Sequence, residues 1–333
     1  MPETMVAARR AGLRISRDAG LAALTLLLLA LVAAAFPQFI LPGNLRSVFD
    51  DTAILIMLAL GETLVLLTRA VDLSVAANLA LSGMLCALFN KLHPGAGVLP
   101  VLLISTLCGT VLGAFNGLLV WLLEIPSIVV TLGTLSVYRG LVYVASGGAW
   151  VNSNQMSPAF LGFVRAPVAG LPVLSWLAIV TIVLTWVFLR FRIAGRNFYA
   201  AGNNPSAATY AGIDVGRMQC LAFVLSGTIA GLCGYLWVSR FGVAYTDIAI
   251  GFELQVIAAC VIGGVSIGGG VGTVLGVVLG ALFLGIVKNA LPLVGVSPFW
   301  QMVVSGVVIT GAVVVNSRSA LAPSRRILEE HAA

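Results

Sequence analysis

The chain has 333 residues, of which 60% are hydrophobic and only 9% are charged, and its mean hydropathy is +1.08. Soluble domains carry about 25% charged residues, so the composition excludes a soluble protein. The apolar runs are long and continuous, which favours membrane-spanning helices of about 20 residues over the ~10-residue alternating strands of an outer-membrane barrel. The net charge of +6 does not indicate a nucleic-acid partner, because the basic residues follow membrane topology.

These runs predict an all-α, polytopic integral membrane protein with about ten transmembrane helices and both termini in the cytoplasm. We expect an N-terminal tail at 1–18, a transmembrane domain at 19–315 and a C-terminal tail at 316–333. The predicted helices lie at 19–37, 52–68, 74–90, 98–123, 127–146, 171–190, 217–239, 252–264, 272–288 and 299–315. The inner segments then hold twelve Lys and Arg residues against five outside, as the positive-inside rule requires.

A charged corner at 69–74 interrupts the apolar sequence between the second and third predicted helices. Asp72 and Ser74 favour a helix start there, because their oxygens can accept hydrogen bonds from the free N–H groups of the next turn. The loops at 38–51, 147–170 and 240–252 are predicted on the outer side. The segment 252–288 is short or glycine-broken, and both a full crossing and a re-entrant path stay open.

Four charged residues lie within or beside the predicted helices: Glu62, Asp72, Arg139 and Glu253. Such charges usually face a cavity or a partner. Glu62 is either a pathway group or a structural carboxylate that pairs with a neighbouring helix or with Arg69. Arg139 either faces a polar pathway or binds a carboxylate or backbone carbonyls, whereas Glu253 suits a helix N-terminus.

The sequence contains no pattern typical of catalysis. The glycine run at 263–273 lacks the Gly-Lys-Ser/Thr of a phosphate-binding loop, and the two histidines lie in a turn and a tail. The five cysteines lie in apolar runs without metal-ligand spacing, which predicts packing roles and no metal site. We therefore expect no enzymatic activity and no bound cofactor, with energy for any transport supplied by an ion gradient or a partner.

The longest polar inner stretch lies at about 190–217. Gly-Asn-Asn-Pro at 202–205 predicts a turn, and 206–211 reads as a short helix ended by Gly212. This helix is either an ordinary surface helix or one that docks into a groove of another protein. A second pattern is a weak internal similarity between 52–90 and 252–288, which suggests duplicated halves.

Several ordered motifs together resemble one known family. Ala-Val-Asp-Leu-Ser-Val-Ala stands at 70–76, Ile-Pro-Ser-Ile-Val-Val-Thr-Leu-Gly-Thr at 125–134, and Gly-Asn-Asn-Pro-Ser-Ala-Ala at 202–208. Asn116-Gly117, Arg139-Gly140 and Ile-Gly-Gly-Val-Ser at 262–266 accompany them. Over about 45–316 the sequence resembles permease subunits of bacterial ABC importers for ribose, xylose and rhamnose, a monosaccharide-importing family.

The resemblance implies a permease subunit in the bacterial inner membrane that imports a monosaccharide of the ribose or rhamnose class. It implies a homodimer or heterodimer of such subunits, an ATPase that binds ATP and Mg²⁺, and a periplasmic sugar-binding protein. The implied ATPase-docking residues are Asn204, Pro205, Ser206, Ala207, Ala208, Gly212 and Ile213. The candidates for gating or for lining the pathway are Glu62, Asp72, Ser74, Asn116 and Arg139.

Some positions depart from the ribose-type pattern. Glu62 stands where many relatives have Gln, and Arg69-Ala70 replaces a pair of glycines. These departures look more like the rhamnose-type and autoinducer-2-type branches. The alternatives are an autoinducer-2-type or branched-chain amino-acid-type ABC permease, or a proton-coupled secondary transporter that uses Glu62 and Arg139.

Overall fold

The structure, a computed structural model, describes residues 17–297 and, beyond them, residues 300, 303, 306, 307, 310 and 311. The predicted tails therefore lie almost wholly outside the described residues, as does most of the predicted helix at 299–315. The prediction of an all-α polytopic membrane protein is confirmed for the described part of the chain.

Twelve α-helices follow one another in the described chain. They are α1 (Arg17–Ala35), α2 (Pro42–Leu67), α3 (Val75–Leu92), α4 (Val98–Leu122), α5 (Ser127–Ser146), α6 (Pro158–Gly162), α7 (Val173–Phe191), α8 (Ile193–Asn203), α9 (Pro205–Tyr210), α10 (Val215–Phe241), α11 (Phe252–Ile262) and α12 (Val274–Ala290). Short 3₁₀ turns lie at Pro37–Ile40, Ser153–Gln155, Phe163–Arg165 and Leu291–Val294. Two-residue strands form two antiparallel pairs, β1 (Val151–Asn152) with β4 (Val243–Ala244) and β2 (Pro167–Val168) with β3 (Leu171–Pro172).

Seven of the described helices are long and apolar enough to cross a membrane: α1, α3, α4, α5, α7, α10 and α12. The central helix α2 is buried throughout 52–67, although it carries Glu62 within this stretch. Helix α11 rises only about 16 Å, roughly half the ~30 Å hydrocarbon layer, so it does not cross the layer alone.

The core forms where α10 packs against α2, α3 and α4. Glycines make the closest of these contacts possible. A Cβ added at Gly109 would overlap the backbone of Gly227 and Gly231, and one at Gly227 would overlap that of Gly109 and Gly113. Small residues at this spacing bring helices together where no water drives their association.

The contacts separate the connecting segments into two opposite ends. At the end predicted outside, Arg240 pairs with Asp51, the Ser175 hydroxyl donates to Asp50, and β1 pairs with β4. At the end predicted inside, the Gly270 N–H donates to the Leu67 carbonyl at 3.1 Å. Segments predicted to share a side thus contact one another.

One prediction about a connecting segment is wrong, and another is incomplete. The predicted loop at 38–51 is a 3₁₀ turn followed by the first ten residues of α2, because Pro42 favours a helix start and the polar residues extend the helix beyond its apolar part. The stretch at 190–217 contains α8 in addition to the expected short helix. Helix α8 is amphipathic and buries Phe198 and Ala201 on one face, so a search for continuous apolar runs misses it.

Candidate functional site

The break between α2 and α3 centres on a left-handed residue. Helix α2 ends in a Schellman motif, in which the Ala70 N–H donates to the Val65 carbonyl at 3.3 Å and the Arg69 N–H to that of Leu66 at 3.0 Å. Arg69 occupies the left-handed position with φ +67°, where glycine is usual. A side chain there costs about 1–2 kcal/mol, so surrounding contacts must stabilise the corner.

Two carboxylates hold the corner from within. Glu62 is fully buried one turn before the end of α2, and its Oε1 accepts the Asp72 N–H at 3.1 Å. Asp72 Oδ1 accepts both the Ser74 N–H at 2.9 Å and the Ser74 hydroxyl at 2.6 Å. Glu62 Oε2 has no hydrogen-bond partner among the described residues.

A polar chain continues from Ser74 into α4 and α5. The Asn116 amide donates to Ser74 Oγ at 2.8 Å, and Asn116 Oδ1 accepts the Tyr138 hydroxyl at 3.1 Å. These side chains are almost completely buried. We name Glu62, Asp72, Ser74, Asn116 and Tyr138 the polar cluster.

The start of α5 binds the same corner through its backbone. Ser127 Oγ accepts the Val71 N–H at 3.1 Å, and the Thr131 hydroxyl lies 3.3 Å from the Val71 carbonyl. Ser127 and Thr131 belong to the motif at 125–134, which begins Ile-Pro-Ser and to which the sequence alone assigned no structural role. The structure shows that this motif supports the corner.

The structure brings together four of the five predicted gating or pathway residues: Glu62, Asp72, Ser74 and Asn116. Arg139 is not among them. Its guanidinium donates to the Ile248 carbonyl at the end predicted outside and lies within electrostatic range of Asp247 and Glu253. This contact matches the alternative in which Arg139 binds a backbone carbonyl.

Two expectations about the corner need correction. Glu62 does not pair with Arg69; its observed partner is the backbone of Asp72, because the chain turns back after Arg69. Ser74 does not cap α3 with its side chain, since its hydroxyl donates to Asp72 and accepts from Asn116. Asp72 does accept an N–H at the helix start, that of Ser74.

Sequence reasoning missed Tyr138, Ser127 and Thr131. Tyr138 is one residue before Arg139 and therefore points about 100° away around α5. Ser and Thr hydroxyls in an apolar helix give no signal by themselves, because they can bond to a carbonyl of their own helix. The Tyr138 hydroxyl gives none, because its partners lie on α4. Only the distant partner Asn116 identifies Tyr138.

The predicted docking segment forms a compact capped helix. Asn204 Oδ1 accepts the Ala207 N–H at 3.0 Å, Pro205 opens α9, and Gly212 ends it with φ +80°. Ser206 and Ala207 are exposed, whereas Ala208 is buried against the body of the protein. Tyr210, which the sequence did not single out, is 94% exposed.

A cavity of about 710 Å³ opens beside the corner. Arg69 lines it together with Trp121, Glu124, Asp214 and Gln219. Glu124 also has a left-handed backbone, with φ +52°. The corner thus borders a polar cavity at the end predicted inside.

A family model for the permease component of the branched-chain amino acid transport system matches residues 44–313. The chain belongs to this permease family. Membership in the ABC-importer permeases, predicted from the motifs, is confirmed. The permease is a multi-pass protein of the inner membrane.

Three relatives show the extent of the similarity. The permease is 37% identical over 302 residues to the autoinducer 2 import system permease protein LsrC of Salmonella typhi, covering 90% of this chain and 85% of the relative. The Salmonella paratyphi B protein of the same name is 38% identical over 292 residues, with 87% and 83% covered. The Shigella flexneri protein is 36% identical over 301 residues, with 87% and 86% covered. No solved structure matches the chain significantly.

Proposed function

We propose that the permease is the membrane subunit of an ATP-driven importer and that its cargo is autoinducer 2 or a chemically similar small sugar. The observation that carries the proposal is similarity along almost the full chain to permeases named for autoinducer 2 import. The departures at Glu62 and Arg69 fit the same branch. Ribose and rhamnose remain competing cargoes to be tested.

The exposed face of α9 supports docking to an ATPase. A helix of six residues with an almost fully exposed tyrosine presents a small rigid surface, and aromatic residues are enriched where proteins bind. In this proposal ATP and Mg²⁺ bind the ATPase, a second permease subunit completes the translocation path, and a periplasmic protein delivers the cargo. The permease itself holds no cofactor.

The polar cluster gives the break between α2 and α3 a role in this proposal. A helix break held by side-chain bonds rather than by continuous helix can have two discrete arrangements. We assign Asp72 and Ser74 to gating at the inner end, with Asn116 and Glu62 as their supports. Arg139 lies at the outer end and belongs to a separate contact.

Uptake in whole cells tests the proposal. The permease is expressed together with an ATPase subunit and a periplasmic binding protein of the same importer, in cells that lack their own importer, and loss of autoinducer 2 from the medium is followed. We expect uptake only when the ATPase is present. Rhamnose, ribose and leucine are added as competitors, and the degree to which each one inhibits uptake shows which class of cargo the importer prefers. Uptake without any ATPase subunit contradicts the proposal.

Tyr210→Ala tests the docking surface. Aromatic residues central to an interface commonly contribute about 2 kcal/mol or more, so binding of the ATPase should weaken roughly 30-fold. The matched control Tyr210→Phe keeps the ring and should bind normally. Replacing Ala208 is less informative, because its buried side chain packs inside the permease.

Glu62→Gln separates ATP-driven import from proton coupling. The Gln carbonyl can still accept the Asp72 N–H, while the titratable group is lost. We expect ATP-dependent uptake to persist in this variant. Its loss, together with uptake abolished by an uncoupler in ATP-replete vesicles, would instead favour a proton-coupled transporter.

A further inference from the structure

Three segments of the chain meet at the inner end. They are the residues that end α2, at 67–70, the end of α8 at 202–203 and part of the glycine run, at 269–272, and we name their contact the inner junction. The Gly270 N–H donates to the Leu67 carbonyl at 3.1 Å, which joins the glycine run to the end of α2.

Gly202 lies directly against this hydrogen bond. A Cβ added at Gly202 would overlap the Leu67 carbonyl oxygen and lie 2.6 Å from Gly270 N. Both neighbours are backbone atoms, so they cannot move aside by changing a rotamer. Gly202 therefore permits a backbone contact that any other residue would force apart.

The glycine run shows the same close fit from its own side. A Cβ on Gly269 would lie 2.9 Å from Gly202 Cα and 3.0 Å from Arg69 Cβ, and one on Gly270 would lie 2.6 Å from Asn203 Cα. Gly269 and Gly270 have φ +85° and +70°, which also favours glycine. The three segments are thus packed through their backbones.

Two side chains fasten the inner junction. The Tyr199 hydroxyl, one turn before Asn203, donates to the Gly272 carbonyl at 3.0 Å. Burial raises the pKa of Tyr199 above its ordinary value, which further favours the protonated hydroxyl that donates this bond. Gln219 from α10 donates to the Thr68 carbonyl at 3.1 Å.

The connection from the inner junction to the docking helix α9 is short and held by hydrogen bonds. Asn204 alone separates α8 from α9, its N–H donates to the Ala200 carbonyl at 3.2 Å, and its own carbonyl accepts the Ala208 N–H at 2.9 Å. A displacement of α9 is therefore carried into α8. Through Gly202 it reaches the end of α2, only a few residues from Glu62.

We infer that Gly202 and Tyr199 are positioning residues that transmit movement of the docking helix to the helix break, so that ATP hydrolysis and cargo movement stay coupled. The inference rests on the proposed function, since it assumes an ATPase on α9. It goes further in assigning the transmission to the inner junction, outside the polar cluster.

The experiment uses the full complex of permease, ATPase and binding protein in proteoliposomes, with autoinducer 2 as the probe. Gly202→Ala should still bind the ATPase, because the exposed face of α9 is unchanged. Uptake per ATP hydrolysed should fall roughly fivefold or more, the scale of a typical coupling between sites. Gly268→Ala is the matched control, since its Cβ would meet only the flexible Ser266 Oγ at an ordinary 3.4 Å.

Tyr199→Phe is the second variant, because it removes one hydrogen bond and keeps the packing. It should lower uptake per ATP hydrolysed in the same direction but by less. An assembled Gly202→Ala complex with the wild-type ratio overturns the inference. If Gly202→Ala does not assemble, a wild-type ratio in Tyr199→Phe overturns it. A wild-type complex whose uptake is independent of ATP rejects the proposed function instead.

Discussion

The polar cluster is a directional chain of hydrogen bonds in apolar surroundings. The Tyr138 hydroxyl contacts both the Leu112 carbonyl and Asn116 Oδ1, Asn116 donates to Ser74, and Ser74 donates to Asp72. Each member supplies the donor that the next one needs. Removing a middle member takes one hydrogen bond from each of its buried neighbours, and a buried polar atom that loses a partner costs more than the net gain from forming the bond.

Asn116→Ala is the residue-scale test. It leaves Ser74 Oγ without its donor and takes one acceptor from Tyr138, so we expect the free energy of unfolding to fall by about 1–3 kcal/mol. Thermal unfolding of the purified permease in detergent measures the change. Asn154→Ala in the exposed outer loop is the control and should stay within about 0.5 kcal/mol of wild type. Equal free energies of unfolding for Asn116→Ala and Asn154→Ala would contradict a stabilising role for the hydrogen bonds of Asn116.

The sequence located part of this cluster for a clear physical reason. A charged residue in an apolar stretch is easy to recognise, because burying a charge in apolar surroundings costs free energy, and Glu62 and Asp72 were identified in this way. Asn116 and Ser74 were identified through motifs. Tyr138 gave no comparable signal, because its partner lies on another helix, 22 residues earlier in the chain. Long-range pairing of neutral groups is not encoded in any local pattern.

At the scale of elements, the contact between α4 and α10 depends on glycine. Gly109, Gly113 and Gly117 follow one another at intervals of four residues on one face of α4. Each lies against backbone atoms of α10. The hydropathy of the sequence predicts that α4 and α10 are helices. It does not predict that they pack against each other, because 37 glycines in an apolar chain leave many helix faces that could pack closely.

Gly109→Leu tests the close packing of these helices. The new side chain would push the backbone of Gly227 and Gly231 away, and overpacking of this kind costs about 1–3 kcal/mol or more. Gly133→Leu in α5 is the control, because a Cβ there meets nothing within 4 Å. Both variants gain the same helix propensity, so the difference between their unfolding temperatures in detergent isolates the packing. Equal unfolding temperatures for Gly109→Leu and Gly133→Leu would show that α10 moves aside for the new leucine at no cost in stability.

In the described part of the chain, the two helix breaks end in the same motif, which also ends α9 and the 3₁₀ turn at Leu291–Val294. Helix α11 also ends in a Schellman motif, in which Gly264 has φ +91° and the Val265 N–H donates to the Cys260 carbonyl at 2.9 Å. Arg69 and Ala70 occupy the equivalent positions after α2. The glycine run that follows the ending of α11 touches the end of α2 at the inner junction, where the Gly270 N–H donates to the Leu67 carbonyl. The internal repeat stays a prediction, because this helix ending is not confined to the two breaks.

The assignment of sides is a prediction for the whole molecule, because it rests on charge asymmetry. Docking residues and the outer loop lie at opposite ends, so one labelling experiment decides between the two orientations. The five native cysteines are first replaced, and single cysteines are introduced as Ser206→Cys in α9 and Asn154→Cys in the outer loop, both exposed positions. In intact spheroplasts a membrane-impermeant maleimide should label position 154 and spare position 206. Permeabilisation should then expose position 206. The reverse pattern would place α9 outside the cell, where no ATPase can reach it.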